Sequence, residues 1–200
     1  MRVGFIFECG PKGADVDVCQ NLAGRLRPGL ECVARTLNNK ANLVRECGPV
    51  ARVLLQECEH VLIIWDLFPP WRDTAPCLHQ DRVDIFESLA GAGVALENVS
   101  LVCIREELEA WLLADKRVLQ NVLGNMKHPH PLGTIKRYRN PDSIPQPKTK
   151  LIQLFQKELG SRRKYVDFRD AKRIIAAIPD FTRLRRSMSF QRFHDIIAGL

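Results

Sequence analysis

Two hundred residues are enough for one large domain, or for one domain and a small appendage. A hydrophobic fraction of 46% suits a chain that builds a packed core, and no apolar run approaches the roughly 18 residues of a membrane span. The net charge of +7 is uneven: residues 1–124 carry 13 Lys+Arg against 17 Asp+Glu, and residues 125–200 carry 17 against 6, so an acidic half precedes a basic one.

That asymmetry predicts a site that holds cations beside a surface that holds a polyanion; the alternative is a solvated basic face on a helical tail. Seven cysteines (Cys9, Cys19, Cys32, Cys47, Cys58, Cys77 and Cys103) form no CxxC or CxxH pair, which argues against structural zinc. Reduced, packed thiols are the expectation, with a catalytic thiol at Cys9 as the competing reading because it follows Glu8.

The chain opens on a short apolar strand, Val3–Phe7, that ends at Glu8 too soon to be a secretory core, so a cytoplasmic protein is expected. The loop Glu8-Cys9-Gly10-Pro11-Lys12-Gly13 follows, and Asp15 reads as the N-cap of a helix carrying Val16, Cys19, Leu22, Ala23 and Leu26. Pro28-Gly29 stops that helix before a second strand over Leu30–Leu37, and Asn38-Asn39 turns the chain into a helix over about 41–58. Val61–Trp65 is a buried strand ending in Asp66, followed by Phe68-Pro69-Pro70-Trp71 and a helix over about 81–92. Val99–Ile104 is a further strand, leading through Arg105-Glu106 into a helix from Glu107 to about Leu123. Alternating strands and helices predict an α/β fold with a mainly parallel sheet covered on both faces.

Residues 125–147 lose this periodicity and read as a linker, in which His128 and His130 flanking Pro129 are expected to be ordinary loop histidines. Helices follow over Pro147–Leu159, Phe168–Ile178 and Phe181–Leu200, the last broken near Ser187. The predicted organisation is an α/β core over 1–124, the linker, and a basic helical C-terminal subdomain over 148–200.

Three acidic positions fall at predicted strand ends: Glu8, Asp66 and the group Glu106, Glu107 and Glu109. In an open α/β sheet those ends lie along one edge, and carboxylates converging there need a cation. Hard oxygen ligands suit Mg²⁺ or Mn²⁺, which can activate water and orient a phosphodiester. Helical spacing predicts that Glu106 and Glu109 share a face while Glu107 points away, and that Asp115 caps or pairs elsewhere. Capping by isolated strand-end acids is the bland alternative. The Gly10–Gly13 loop lacks the spacing of a P-loop, although Lys12 can reach a phosphate. A nucleophilic-aspartate phosphatase would need a carboxylate two residues after Asp66, where Phe68 stands.

Phe5-Ile6-Phe7-Glu8-Cys9-Gly10, Ile63-Ile64-Trp65-Asp66 and Leu108-Glu109-Ala110-Trp111-Leu112-Leu113-Ala114-Asp115 resemble an uncharacterised Toprim-like family related to the OLD-family nucleases. The likeness continues through Ile144–Leu151 to Arg185-Arg186-Ser187-Met188-Ser189-Phe190, and the Glu-Ala-Trp-Leu-Leu-Ala-Asp stretch is its most specific part. The resemblance implies a Toprim-like core with Glu8 as the metal-binding glutamate and Asp66 as the first aspartate of a DxD motif. Phe68 takes the second aspartate position, a departure that leaves a second ion to Glu109 or Asp73. It also implies a setting in phage defence or mobile-element biology, as context.

The sequence-based expectation is therefore a Mg²⁺- or Mn²⁺-dependent phosphodiesterase acting on nucleic acid, DNA or RNA. Glu8, Asp66 and Glu109 would be metal ligands and Lys12 an electrostatic helper. Arg137, Arg139, Arg162, Arg163, Lys164, Arg185 and Arg186 are expected at phosphates, with Tyr138 and Tyr165 available for stacking on bases. The competing readings are a non-catalytic module binding nucleic acid or a protein partner, a homo-oligomer included, and a small-molecule phosphotransfer or nucleotide-binding enzyme.

Overall fold

The computed structural model describes residues 1–69, 75–126 and 133–200. Four strands, β1 (Arg2–Phe7), β2 (Glu31–Thr36), β3 (His60–Asp66) and β4 (Val99–Ile104), form one parallel sheet in the order β2-β1-β3-β4. β1, β3 and β4 are short runs of Val, Ile, Leu or Phe, as strands covered on both faces require, whereas β2, at the sheet edge, is the half-buried run Glu31-Cys32-Val33-Ala34-Arg35-Thr36. Helices α1 (Ala14–Leu26), α2 (Lys40–Leu54) and α3 (Leu78–Gly91) make the crossovers. The predicted α/β class with a parallel sheet flanked by helices is what the chain adopts.

Alternation along the strands divides the core. Val3, Phe5, Phe7, Leu62, Ile64, Val102 and Ile104 face α1 on one side; Ile6, Ile63, Trp65 and Leu101 join α2 and α3 on the other. Helix α2 packs so closely on α3 that a Cβ at Gly48 would lie 2.0 Å from the Ser88 carbonyl oxygen, which is why glycine stands there.

The remaining helices among the described residues are α4 (Glu109–Leu112), α5 (Lys116–Met126), α6 (Pro147–Leu159), α7 (Lys172–Ala176, entered through a π-helical turn at Asp167–Ala171) and α8 (Met188–Gly199). Phe155, Ile174, Phe190 and Phe193 belong to the same buried cluster as Phe5, Val18 and Leu22, so the C-terminal helices complete the α1 face of the sheet. Asp142 ties this half down: its carboxylate accepts from the Ser187 and Ser189 hydroxyls at 2.6 and 3.0 Å and from the Met188 amide at 2.6 Å. The Ser189 hydroxyl also accepts from the Trp111 indole at 3.0 Å, which gives the Glu-Ala-Trp-Leu-Leu-Ala-Asp stretch and the Arg-Arg-Ser-Met-Ser-Phe stretch a shared structural job.

Two local expectations are corrected. The helix expected from Glu107 to Leu123 is broken between Leu112 and Lys116, because Asp115 accepts the Arg117 amide at 2.9 Å and starts α5 afresh. Helix α1 begins at Ala14 with Gly13 as its cap residue, so Asp15 lies inside the first turn and its side chain is left for another use. No helix among the described residues is long and apolar enough to cross a membrane.

Candidate functional site

Strand order fixes where a site can form. From β1 the chain crosses to β2 on one side and β3 on the other, so the C-terminal ends of β1 and β3 flank a topological switch point, where a crevice opens. Glu8 follows the last residue of β1, and Asp66 is the last residue of β3. Both line one cavity of about 370 Å³, and Lys12 and Glu109 line it too. The sequence separation of these four positions is thus closed by the fold.

The cavity is more acidic than the sequence suggests. Asp15, Glu107 and Asp167 also line it, which makes six carboxylates against two ammonium groups, Lys12 and Lys148, among the described residues. Glu8 Oε2 and Asp66 Oδ1 are buried and accept no hydrogen bond among the described residues. Burial pushes the Glu8 carboxyl up to about 8; the Lys40 ammonium draws it down, and Asp15 raises it further. Burial, then the charges of Asp15, Glu8, Glu109 and Glu107, holds Asp66 well above the usual carboxylate range. Burial raises Asp15 as well, against a hydrogen bond from the Cys9 thiol. That thiol is itself pushed far up by burial and by Asp15, so it stays protonated, the wrong form for a nucleophile.

The other wall comes from distant sequence. Tyr165 Oη donates to Glu109 at 3.4 Å, and Lys148 Nζ lies 4.0 Å from the same carboxylate while also pairing with Asp167. The Lys148 amide donates to Glu107 at 3.1 Å. Burial sets Glu109 up to about 7 against the pull of Lys148. Desolvation draws the Lys148 ammonium down, but Asp167, Glu109 and Glu107 outweigh it and hold it above its ordinary range. Glu107, not Glu106, faces the cavity, because the helix starts only at Glu109 and the residues before it do not follow helical spacing.

The loop under the site is pinned from the opposite sheet face. Lys40, only 4% exposed, donates through Nζ to the Leu67 and Pro69 carbonyls at 2.8 and 3.3 Å and pairs with Asp81 at 3.6 Å. Asp81 in turn accepts from the Trp65 indole at 3.1 Å. Lys40→Met strips Asp81 of its counter-charge and frees the Asp66 loop. The expected cost is about 3 kcal/mol, read as a lower urea midpoint at unchanged slope.

A divalent ion fits the donor set at Glu8 and Asp66. Two orphaned oxygens among repelling carboxylates are what a cation would satisfy, and Mg²⁺ characteristically takes one or two protein carboxylates and keeps waters for the rest. Among the described residues no three Asp, Glu, His or Cys groups are gathered closely enough to hold one ion together, the expected set Glu8, Asp66 and Glu109 included. Phe68, 39% exposed, lines the cavity where the DxD pattern would put a second aspartate. Asp73, His128 and His130 lie outside the described residues.

Arg137, Arg139, Arg162, Arg163, Lys164 and Arg185 are exposed, and Arg186 is half-buried. The Arg162–Lys164 turn runs directly into Tyr165, so it adjoins the cavity wall. Tyr165 is buried against Phe155 and engaged with Glu109, which removes it as a stacking platform; Tyr138 is half-buried under the Lys136 ammonium. Lys148 and Asp167 join the site without a strand-end position to mark them in the sequence. The available signal was α6 itself, which starts Pro147-Lys148-Thr149-Lys150 with no acid in its first turn, against the helix dipole.

The family described as "Domain of unknown function (DUF4276)" matches residues 21–198, most of the chain, and the chain belongs to that family. No curated protein and no solved structure matches it.

Proposed function

We propose that this member of the DUF4276 family is a Mg²⁺- or Mn²⁺-dependent phosphodiesterase acting on nucleic acid through a Toprim-type carboxylate site. The observation that carries the reading is the pair of buried, unpartnered oxygens, Glu8 Oε2 and Asp66 Oδ1, in one cavity at the switch point of a parallel sheet. The Toprim assignment rests on the resemblance of the Glu8, Asp66 and Glu109 stretches.

Glu8 and Asp66 would hold the ion. Bound there, it supplies charge neutralisation at a phosphoryl oxygen and a lowered pKa for coordinated water. The chain's own residues do the rest. Lys12, exposed at the mouth, draws a phosphate toward the cavity against the field of the acids. Lys148, anchored by Asp167, keeps a second positive charge at the inner wall. Glu109, poised near neutrality and oriented by Tyr165, can give or take a proton at a reacting oxygen. The exposed arginines of 137–139, 162–163 and 185 would hold neighbouring phosphates.

Phe68 at the cavity mouth favours one alternative, a non-catalytic module that binds nucleic acid or a protein partner. End-labelled single-stranded DNA and RNA, incubated with the full chain in Mn²⁺, Mg²⁺ or EDTA, separate the two. Cleavage in either divalent ion and none in EDTA is expected. Retention without cleavage in any ion would give the site to the binding module, and neither retention nor cleavage would overturn the nucleic-acid reading.

A further inference from the structure

The molecule has a second cavity, of about 540 Å³, that the carboxylate site does not use. It lies along β4, the outer strand of the sheet, between the start of α3 and the start of α8. Its wall is apolar, with Leu67, Leu78, Leu101 and Met188; Leu78 is 43% and Met188 80% exposed, unusual for residues of that kind facing nothing. Three exposed arginines, Arg82, Arg105 and Arg192, stand around it. Asp142 is the one acid on the described wall, and its oxygens are taken by Ser187, Met188 and Ser189.

An apolar slot rimmed by guanidinium groups suits a flat ring carrying phosphate, because guanidinium both stacks on aromatic rings and pairs with phosphate oxygens. The volume lies in the range that encloses a small ligand. An added peptide strand fits less well: Arg192 Nε donates to the Leu101 carbonyl at 2.7 Å, which occupies the outward edge of β4 that such a strand would need.

The two cavities share a wall. Along one stretch of chain, Asp66 and Phe68 line the carboxylate cavity while Trp65 and Leu67 line the groove. We propose that the groove takes the base and sugar of one nucleotide of a single strand whose neighbouring phosphodiester enters the carboxylate cavity. This rests on the reading of that cavity as a phosphodiester site. Arg82 and Arg105 hold the flanking phosphates, and Leu67, Leu101 and Met188 cover the base.

The test is anisotropy of a labelled 12-nucleotide single strand with the full chain in EDTA, where no cleavage intrudes. Arg82→Ala/Arg105→Ala, at exposed positions, is expected to weaken binding about tenfold, and an abasic strand of equal length to bind wild type about tenfold more weakly. The two losses overlap when combined, because both act at one site. A double variant that binds within twofold of wild type, or an abasic strand that binds as tightly as the normal one, overturns the proposal. Strand binding that shows these losses while Mn²⁺ supports no cleavage upholds the groove and brings down the phosphodiesterase reading alone.

Discussion

Asp66→Asn is expected to remove Mn²⁺-dependent cleavage by about 10³-fold or more, the scale of several kcal/mol of lost charge stabilisation, while single-strand binding in EDTA stays within twofold. The substitution keeps the shape of the side chain and removes only the charge. That charge is held in a cavity where burial and the neighbouring Asp15, Glu8, Glu109 and Glu107 all oppose ionisation. The variant therefore has a second signature. In EDTA at pH 8 it should unfold at a higher temperature than wild type, because the amide has no ionisation for burial and the neighbouring acids to oppose. In Mn²⁺ the order should reverse: an ion at 100 times its Kd stabilises wild type by about 2.7 kcal/mol and finds no paired carboxylate in the variant. Loss of activity with a lowered EDTA melting temperature would mean that Asp66 serves the fold instead.

The second large effect is on pH. Burial holds Glu8 at about 8 against an ordinary value of 4.5, even with Lys40 drawing it down. Between pH 5 and 8 the unfolded chain therefore gives up a proton that the folded chain keeps. The folded state binds more protons in that window, so stability falls as pH rises through it, and Asp66 and Asp15, raised by the same burial, act in the same direction. At about 1.4 kcal/mol for each unit of difference, the loss is several kcal/mol. Glu109, at about 7, adds to the lower part of the same window. A divalent ion needs the ionised carboxylates, so the gap between melting temperatures in Mn²⁺ and in EDTA should widen steadily from pH 5.5 to 8.5. Glu8→Gln should flatten the EDTA profile and close the gap. A wild-type EDTA melting temperature that holds steady or climbs across this range would contradict the buried-carboxylate account.

The scaffold of the site was legible because strand ends are loud signals. Runs such as Val61–Trp65 stop abruptly at an acid, and an open parallel sheet gathers such stops at one rim. The bounds of β4 and of α6 were read directly from apolar runs and from Pro147 at the first helical position. Shorter-range rules failed where tertiary packing outvoted them. Asp15 has the spacing of a cap, yet the helix begins one residue earlier and leaves its carboxylate to the cavity. Helical spacing favours Glu106 over Glu107, but that period does not apply ahead of Glu109. Tyr165 carries the composition of a base-stacking residue, and only the packing of α6 shows it turned inward onto Phe155 and Glu109. Beyond the acid-free start of α6, nothing local marks Lys148 or Asp167, because their place depends on the C-terminal helices folding back over the sheet, a long-range contact.

The most direct test of the central claim is anomalous diffraction from a crystal soaked in Mn²⁺. A peak about 2 Å from one oxygen of Glu8 and one of Asp66 is the expected result. A soaked crystal in which no ion lies between those two carboxylates, with manganese bound only elsewhere on the surface, would contradict it.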